Sequence, residues 1–313
     1  MPASVALITL LGPQRMKPTL KRTLVAHGIT GKVALITAGW QERESDDTEL
    51  AAELDGRAVN LRLHGRAEEV FAADADLKEA HRLRQDRLMQ LQEFYRLRLE
   101  ALVEAMRTVA RRCPDAATLA EEQQLSLDSV RALDRQHLGR VAEVYAEFHA
   151  AWEPDERDAV ARHRAELETT VADCAALVIA GGHVAVLLNR LKLFGVAALV
   201  GERPLVAWSA GAMAIAETVV LFHDSPPQGA GISQVFDAGL GLCRGIVPLP
   251  SPRQRLRTDD PENVSLFARR FAPAACVALG DGAMVDIVDG RFERAVAAFR
   301  LDASGRVDNA WAA

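Results

Sequence analysis

Short apolar runs alternate with amphipathic segments at the start of the chain. Residues 5–11, 32–38 and 58–63 are apolar runs of strand length, and residues 19–27 and 47–54 place their apolar side chains at helical spacing. Strands that are apolar on both faces and separated by helices are typical of a parallel sheet that is covered on both sides. The pattern therefore predicts an α/β domain.

The same alternation returns after residue 171. The strands predicted there are 175–180, 204–208, 218–222, 246–249, 276–279, 283–288 and 292–299. The last three are separated by Gly280-Asp281-Gly282 and Asp289-Gly290, which are typical turn sequences. The sheet is therefore expected to continue and to end in an antiparallel extension.

Between these two parts, from about residue 68 to residue 170, there is no strand pattern. Residues 76–112 and 128–152 carry apolar side chains at helical spacing among Arg, Glu and Gln, and a third helix is predicted from there to about residue 174. The apolar stripes either pack on each other as a helical hairpin, or the hairpin serves as a lid or a dimerisation arm. We favour the arm and predict a homodimer built partly on residues 76–152.

The stretch 204–216 carries the clearest candidate chemistry. It predicts a buried strand, a sharp turn at Ser209, and a helix that opens with Ala210 and Gly211. This is close to the G-x-S-x-G nucleophile elbow, in which a strained turn holds a serine hydroxyl clear of the sheet, although Ala207 replaces the first glycine. The Ala210 N–H can then donate to an oxyanion. The alternative is a strand–helix junction with a serine N-cap.

A second candidate feature follows the strand predicted at 175–180. The sequence Gly181-Gly182-His183 comes directly before a helix predicted at 184–193, so backbone N–H groups are free at this point. Functional groups of doubly wound sheets gather at the carboxyl ends of neighbouring strands. We therefore expect Gly182 and Ser209 to lie close together.

Composition narrows the class of protein. The chain has 313 residues, of which 49% are hydrophobic and 26% charged, as in globular proteins, and its net charge of −6 gives no global basic character for nucleic-acid binding. Its cysteines are far apart and form no C-x-x-C, so we expect reduced structural thiols in a cytoplasmic protein; they are Cys113, Cys174, Cys243 and Cys276. No signal peptide, membrane span, metal-ligand spacing or Walker loop is recognisable, so neither a metal nor a cofactor is expected.

Four short motifs in a fixed order resemble one peptidase family. They are Ile179-Ala-Gly-Gly182, Trp208-Ser-Ala-Gly211, Phe222-His-Asp224 and Gly239-Leu-Gly-Leu242. The set resembles the serine peptidases that include aspartyl dipeptidase and cyanophycinase, and it covers roughly residues 1–65 and 171–300. The resemblance implies a class I glutamine amidotransferase-like or flavodoxin-like fold, with a doubly wound, mostly parallel sheet. Residues 1–65 and 171–313 would form the α/β peptidase-like domain, and residues 66–170 an inserted helical arm or lid.

The resemblance also implies residue roles. Ser209 would be the nucleophile, the backbone N–H groups of Gly182 and Ala210 would form the oxyanion hole, and Asp224 falls where dipeptidase members carry an acidic residue. Serine at the elbow, instead of cysteine, argues against glutaminase chemistry. Ser251, however, stands where the family places its catalytic histidine.

An active enzyme would therefore need another residue as its general base. His183, at the start of a helix beside the expected oxyanion hole, is one candidate, and His223, next to Asp224, is the other. Arg253 and Arg255 are either part of a solvated basic run or hold a substrate carboxylate, which arginine binds bidentately.

Two functions follow from the sequence. The first is a serine peptidase or hydrolase acting on short acidic or amino-acid-like amides, with a small peptide or amino-acid-like substrate and no nucleic-acid or membrane partner. The second is a catalytically inactive member of the same family that binds a small ligand, or acts as a scaffold through its helical arm.

Overall fold

A computed structural model gives the fold of residues 5–112, 115–222 and 232–309. Its strands are β1 (Leu7–Leu11), β2 (Lys32–Ile36), β3 (Ala58–Asn60), β4 (Cys174–Ile179), β5 (Leu205–Trp208), β6 (Thr218–Leu221), β7 (Gln234–Ala238), β8 (Ile246–Pro250), β9 (Ala275–Val288), β10 (Arg291–Leu301) and β11 (Val307–Asn309). Its helices are α1 (Leu20–Ala26), α2 (Thr48–Glu53), α3 (Leu63–Ala73), α4 (Ala75–Ala110), α5 (Ala116–Trp152), α6 (Asp158–Ala172), α7 (Val184–Leu193), α8 (Val196–Val200), α9 (Ala210–Ile215), α10 (Pro252–Arg255) and α11 (Pro261–Phe271).

The main sheet is mixed, with strand order β3-β2-β4-β5-β1-β9-β10-β11. Strands β3, β2, β4, β5 and β1 are parallel, whereas β9, β10 and β11 continue the sheet in antiparallel fashion. β8 runs parallel to the first half of β9, and β6 and β7 form a separate antiparallel ribbon. The predicted fold class is confirmed: a mostly parallel α/β sheet with a large helical segment and antiparallel strands at its end.

The central strands are apolar on both faces because both faces are covered. In β4, Leu177 and Ile179 pack in a core with α3, α6, α7 and α9. Their neighbours Ala176 and Val178 pack in a second core with α1 and α2 on the opposite side of the sheet. Successive side chains of a strand point to opposite faces, so each face fills one of the two cores.

The prediction of a turn at Gly280-Asp281-Gly282 was wrong. β9 runs through these residues as one strand of 14 residues, and its two halves have different partners, β8 and then β1. A Cβ on Gly12 would collide with the carbonyl of Gly280, so the strand passes closely over the end of β1 at this point. The predicted turn at Asp289-Gly290 is confirmed, and both residues have positive φ, 49° and 72°, as in a type I′ hairpin turn.

The helical segment is a hairpin of α4 and α5. α4 agrees with the helix predicted at 76–112, but α5 begins at Ala116 instead of residue 128. The reason is an N-cap that the periodicity does not report: the Asp115 carboxylate accepts the N–H groups of Ala117 and Thr118. Within the described residues, no helix combines the length and the apolar character needed to cross a membrane.

The hairpin packs along the body of the protein. Gln92 of α4 donates to the side chain of Gln234 and the carbonyl of Val235 in β7. Arg131 of α5 donates to the carbonyls of Arg269 and Arg270 at the end of α11, where helix carbonyls lack internal partners. One face of the hairpin therefore packs against the rest of this chain, and only the outer face is available to a partner.

A buried ionic cluster joins the hairpin to the body. Arg270 of α11 donates to both carboxylate oxygens of Asp134 in α5, at 2.7 and 2.8 Å. Tyr95 of α4 donates its hydroxyl to Asp134 at 2.7 Å and accepts the N–H of Val235 at 3.0 Å. Burial raises the pKa of Tyr95 well above its usual value, so the phenol stays neutral. We call Tyr95, Asp134 and Arg270 the anchor cluster.

We predict that Asp134→Ala lowers the free energy of unfolding by about 3–5 kcal/mol, because it leaves the Arg270 guanidinium buried without its counter-charge. The double variant Asp134→Leu/Arg270→Met should recover most of this loss. The measurement is urea unfolding followed by circular dichroism. Glu79→Gln, which breaks an exposed ion pair on α4, is the control and should change little. A loss for Asp134→Ala no larger than the control would contradict the assignment.

The homodimer stays a prediction, and α4 supplies its most direct test. Leu83, Phe94 and Leu97 are exposed apolar side chains on the outer face of α4. If this face pairs with a second copy, the variant Leu83→Glu/Phe94→Glu should shift the mass measured by light scattering from two chains to one. Leu125→Glu, at an exposed apolar position of α5, is the matched control. A wild-type protein with the mass of one chain at tens of micromolar would refute the dimer.

Candidate active site

The carboxyl ends of several strands of the sheet meet at one edge. Ser209 follows β5, Gly182 follows β4, Trp40 follows β2, Arg15 follows β1 and Ser251 follows β8. From β2 the chain proceeds to β3 on one side, whereas β4 and β5 lie on the other side. Ligands of open α/β sheets bind at such a switch point, outside the carboxyl ends of the strands.

Ser209 is held in a strained backbone conformation. Its φ is 51° and its ψ is −122°, between β5 and the first residue of α9. A positive φ in a residue with a side chain costs on the order of 1–3 kcal/mol and is found chiefly at functional sites. The side chain makes no cap hydrogen bond to α9, which excludes the alternative of a serine N-cap. Strand, strained serine and helix together have the form of a nucleophile elbow.

Two glycines make room for this turn. A Cβ on Gly181 would lie 2.8 Å from the Cβ of Ser209, closer than real Cβ atoms approach. A Cβ on Gly211 would collide with the carbonyl of Ile179 at the end of β4. The ends of β4 and β5 and the start of α9 are thus in direct backbone contact.

Free backbone donors flank the serine. The N–H groups of Gly182 and Ala210 have no backbone acceptor among the residues that the structure describes. Ala210 is the first residue of α9, where helix N–H groups lack internal partners. The N–H of His183 donates to the carbonyl of Gly39 at 2.7 Å and fixes the loop after β4 against the loop after β2. Both residues line the same cavity as Ser209, so their N–H groups are the candidate donors of an oxyanion hole.

A buried carboxylate orders the loop that carries Gly39 and Trp40. Glu44 is only 4% exposed, and its two oxygens accept the N–H groups of His64 and Gly65 in the first turn of α3, at 3.0 and 2.9 Å. Its own carbonyl accepts the hydroxyl of Thr37 and the side-chain amide of Asn60. The loop after β2 is therefore tied to the helix and strand that follow it.

Two cavities open on either side of Ser209, and both are also lined by Gly182 and Arg15. The first has a volume of about 770 Å³, and we call it the apolar cavity because its wall consists mainly of Val184, Met213, Leu221, Phe222 and Ile232. The second has a volume of about 1340 Å³, and we call it the polar cavity; its lining includes Lys21, Trp40, Arg43, Asp46 and Glu49. A substrate that reaches across Ser209 therefore meets different surroundings on its two sides.

The structure brings together some of the predicted site residues and not others. Ser209, Gly182, Ala210 and Arg255 all line the apolar cavity. Arg253 is exposed and is not among the described residues that line either cavity.

The histidine predictions have different outcomes. Nδ1 of His183 accepts the N–H of Val186 at 3.3 Å, so this imidazole serves as the N-cap of α7. None of the described residues that line the two cavities is a histidine. His223 and Asp224 lie outside the described residues, and their roles stay predictions.

Arg15, Trp40 and Gln234 also line the cavities, and none of the three was predicted from the sequence. A signal was available for the first two, because each follows an apolar run that predicts a strand, and so lies at the carboxyl edge of the sheet. No such signal existed for Gln234, because β7 is a short ribbon strand that the apolar pattern does not show.

None of the described residues that line the two cavities is a cysteine. Cys174, Cys243 and Cys276 are free and buried, as expected for structural thiols, whereas Cys113 lies outside the described residues. Burial raises the pKa of Cys243 and of Cys276 to about 12, so neither thiol ionises at neutral pH. In the part of the chain that is described, no group of His, Cys, Asp and Glu side chains has an arrangement suited to a metal ion.

Comparisons with solved structures give matches to 12 chains. The chain is similar to the crystal structure of a peptidase from an acI-B1 Actinobacterium, with 12% sequence identity, a TM-score of 0.45, and coverage of 97% of this chain and 93% of that chain. No protein-family model and no curated protein matches the sequence. Function must therefore be inferred from the geometry around Ser209.

The N-cap contact of His183 leads to a prediction about stability. His183→Ala should lower the free energy of unfolding by about 1 kcal/mol, because α7 loses its side-chain cap. His183→Asn should lose less, since asparagine is a strong N-cap. Urea unfolding of both variants measures the difference. Equal losses for alanine and asparagine would show that the cap contributes nothing to stability.

Proposed function

We propose that the protein is a serine peptidase or hydrolase that cleaves small peptides or amino-acid-derived amides, of the type of the aspartyl dipeptidase and cyanophycinase family with its class I glutamine amidotransferase-like fold. The observation that carries the proposal is the strained Ser209, with φ of 51° and ψ of −122°, at a cavity lined also by Gly182 and Ala210. The order of the four sequence motifs supports it independently.

The proposed reaction has two steps. The Ser209 oxygen attacks the carbonyl carbon and its proton passes to a general base, while the N–H groups of Gly182 and Ala210 donate to the oxyanion. The C–N bond then breaks, the amine leaves with the proton, and an ester to Ser209 remains. Water hydrolyses this ester, so that the sum is one amide and one water converted to a carboxylic acid and an amine.

The general base is proposed to be His183 or His223, with Asp224 orienting His223. While Nδ1 of His183 accepts the N–H of Val186, the proton of the neutral ring is on Nε2, so His183 can accept the proton of Ser209 only when this cap hydrogen bond is released. A serine with no base retains only a small part of the rate, because a hydroxyl is a weak nucleophile at neutral pH.

A second function is favoured by Ser251. This residue lines the apolar cavity together with Ser209, at the place where the resemblance implies the catalytic histidine. A hydroxyl there cannot accept the proton of Ser209 at neutral pH as an imidazole does. The alternative is therefore a catalytically inactive protein that binds a small ligand in the same cavity, or a scaffold that uses its helical hairpin.

Labelling with a fluorophosphonate probe separates the two functions. We expect wild type to be labelled, and Ser209→Ala not to be labelled. Among the histidine variants, His183→Asn keeps the helix cap but removes the imidazole, and His223→Asn tests the other candidate; the variant that loses at least about 100-fold in labelling rate identifies the base. Ser129→Ala, on the exposed side of α5, is the control. Labelling of wild type that is no faster than that of Ser209→Ala would favour the binding protein.

A further inference from the structure

Much of the wall of the apolar cavity consists of aliphatic and aromatic side chains. They come from four elements and their ends: Val184 from α7, Met213 from α9, Leu221 and Phe222 from the end of β6, and Ile232 from the segment before β7. These apolar side chains gain from burying aliphatic or aromatic groups, and a carboxylate at this cavity would have to be held by the polar part of its lining.

The charged side chains that the structure describes at this cavity are of one sign. The charged side chains among its described lining residues are Arg15 and Arg255. Neither guanidinium has a hydrogen bond or an ion pair with another described residue. Unpaired arginines at the margin of a cavity are suited to hold a carboxylate in bidentate fashion. The cavity therefore combines an apolar interior with a positive margin.

The wall is also held in place before any ligand arrives. Gln234 is fixed by Gln92 of α4 at 3.0 Å. Asp237 of β7 accepts hydrogen bonds from Tyr145 of α5 and Lys192 of α7, each at 2.9 Å. The ribbon of β6 and β7 is thus anchored to the hairpin and to α7, and a preformed pocket loses little entropy when it binds.

We propose that the apolar cavity is the specificity pocket for the departing residue of a short peptide: an apolar C-terminal residue whose free carboxylate is held by Arg255 and Arg15. This inference deepens the proposed function and rests on it for the cleavage step. It replaces the acidic substrate expected from the sequence with a dipeptide-like substrate that ends in leucine or phenylalanine. A cavity of about 770 Å³ is of the size that binds small ligands.

The test combines cleavage and binding with defined dipeptides. Wild type is assayed with Ala-Leu, Ala-Phe, Ala-Asp and the amide Ala-Leu-NH₂ by chromatography of the released residue. The same peptides are titrated into Ser209→Ala by calorimetry. We expect Ala-Leu to exceed Ala-Asp roughly 10- to 100-fold in kcat/KM and in affinity, from burial of the leucine side chain. Ala-Leu should exceed its amide by a similar factor.

Two variants test the carboxylate contact and the apolar wall of the pocket separately. Arg255→Gln should bring Ala-Leu and Ala-Leu-NH₂ to about the same kcat/KM, whereas Arg135→Gln, an exposed arginine of α5, should leave their ratio unchanged. Leu221→Lys should abolish the preference for Ala-Leu over Ala-Asp. Leu125→Lys, at an exposed position away from both cavities, is the control for placing a lysine on the surface.

The outcomes separate this inference from the proposed function. Cleavage that favours Ala-Asp would overturn the apolar pocket while the peptidase stands. Selective binding of Ala-Leu to Ser209→Ala without any cleavage by wild type would support the pocket and refute the peptidase. Cleavage of Ala-Leu that is indifferent to Arg255→Gln would overturn the carboxylate contact. Neither binding nor cleavage of Ala-Leu would overturn the pocket as a whole.

Discussion

The backbone contact between the ends of β4 and β5 is the constraint on which the site depends. Ser209 can keep its positive φ only because its neighbours Gly181 and Gly211 carry no side chain at points where a Cβ would meet Ser209 itself or the carbonyl of Ile179. The cost of that strain must be offset by the surrounding sheet, and both faces of β4 and β5 are fully packed. The apolar core therefore does more than stabilise the fold, since it holds one hydroxyl out of the sheet.

The helical hairpin also supports the site. It is joined to the body by the anchor cluster and by Gln92, and these contacts end on β7 and α11. Gln234 of β7 and Ile232, two residues before it, line the apolar cavity, so the hairpin supports one wall of the site from behind. A helical hairpin that looks peripheral in the sequence thus supports the pocket, and its inner face packs against the body of the protein for this purpose.

Much of the fold could be predicted because its signals are local. Apolar runs gave the central strands, and α7 has the bounds that its apolar spacing predicted, Val184–Leu193. The predictions from sequence were wrong where tertiary contacts determine the local structure. Gly280-Asp281-Gly282 has the composition of a turn, but pairing with β8 and then β1 carries β9 straight through it. The site was predictable where residues follow strand ends, as Ser209 and Gly182 do. Gln234 and the role of His183 as a helix cap depend on contacts that no local pattern reports.

Ligand binding and catalysis depend on different parts of this molecule. The elbow and its two N–H donors are built from backbone, so they persist whichever side chain supplies a base. The apolar cavity is built from side chains of β6, α7 and α9 that are held by the ribbon and the hairpin. Loss of a general base would remove proton transfer from Ser209 without altering either of these parts. The pocket, which depends on the packed sheet and hairpin, therefore does not depend on catalysis.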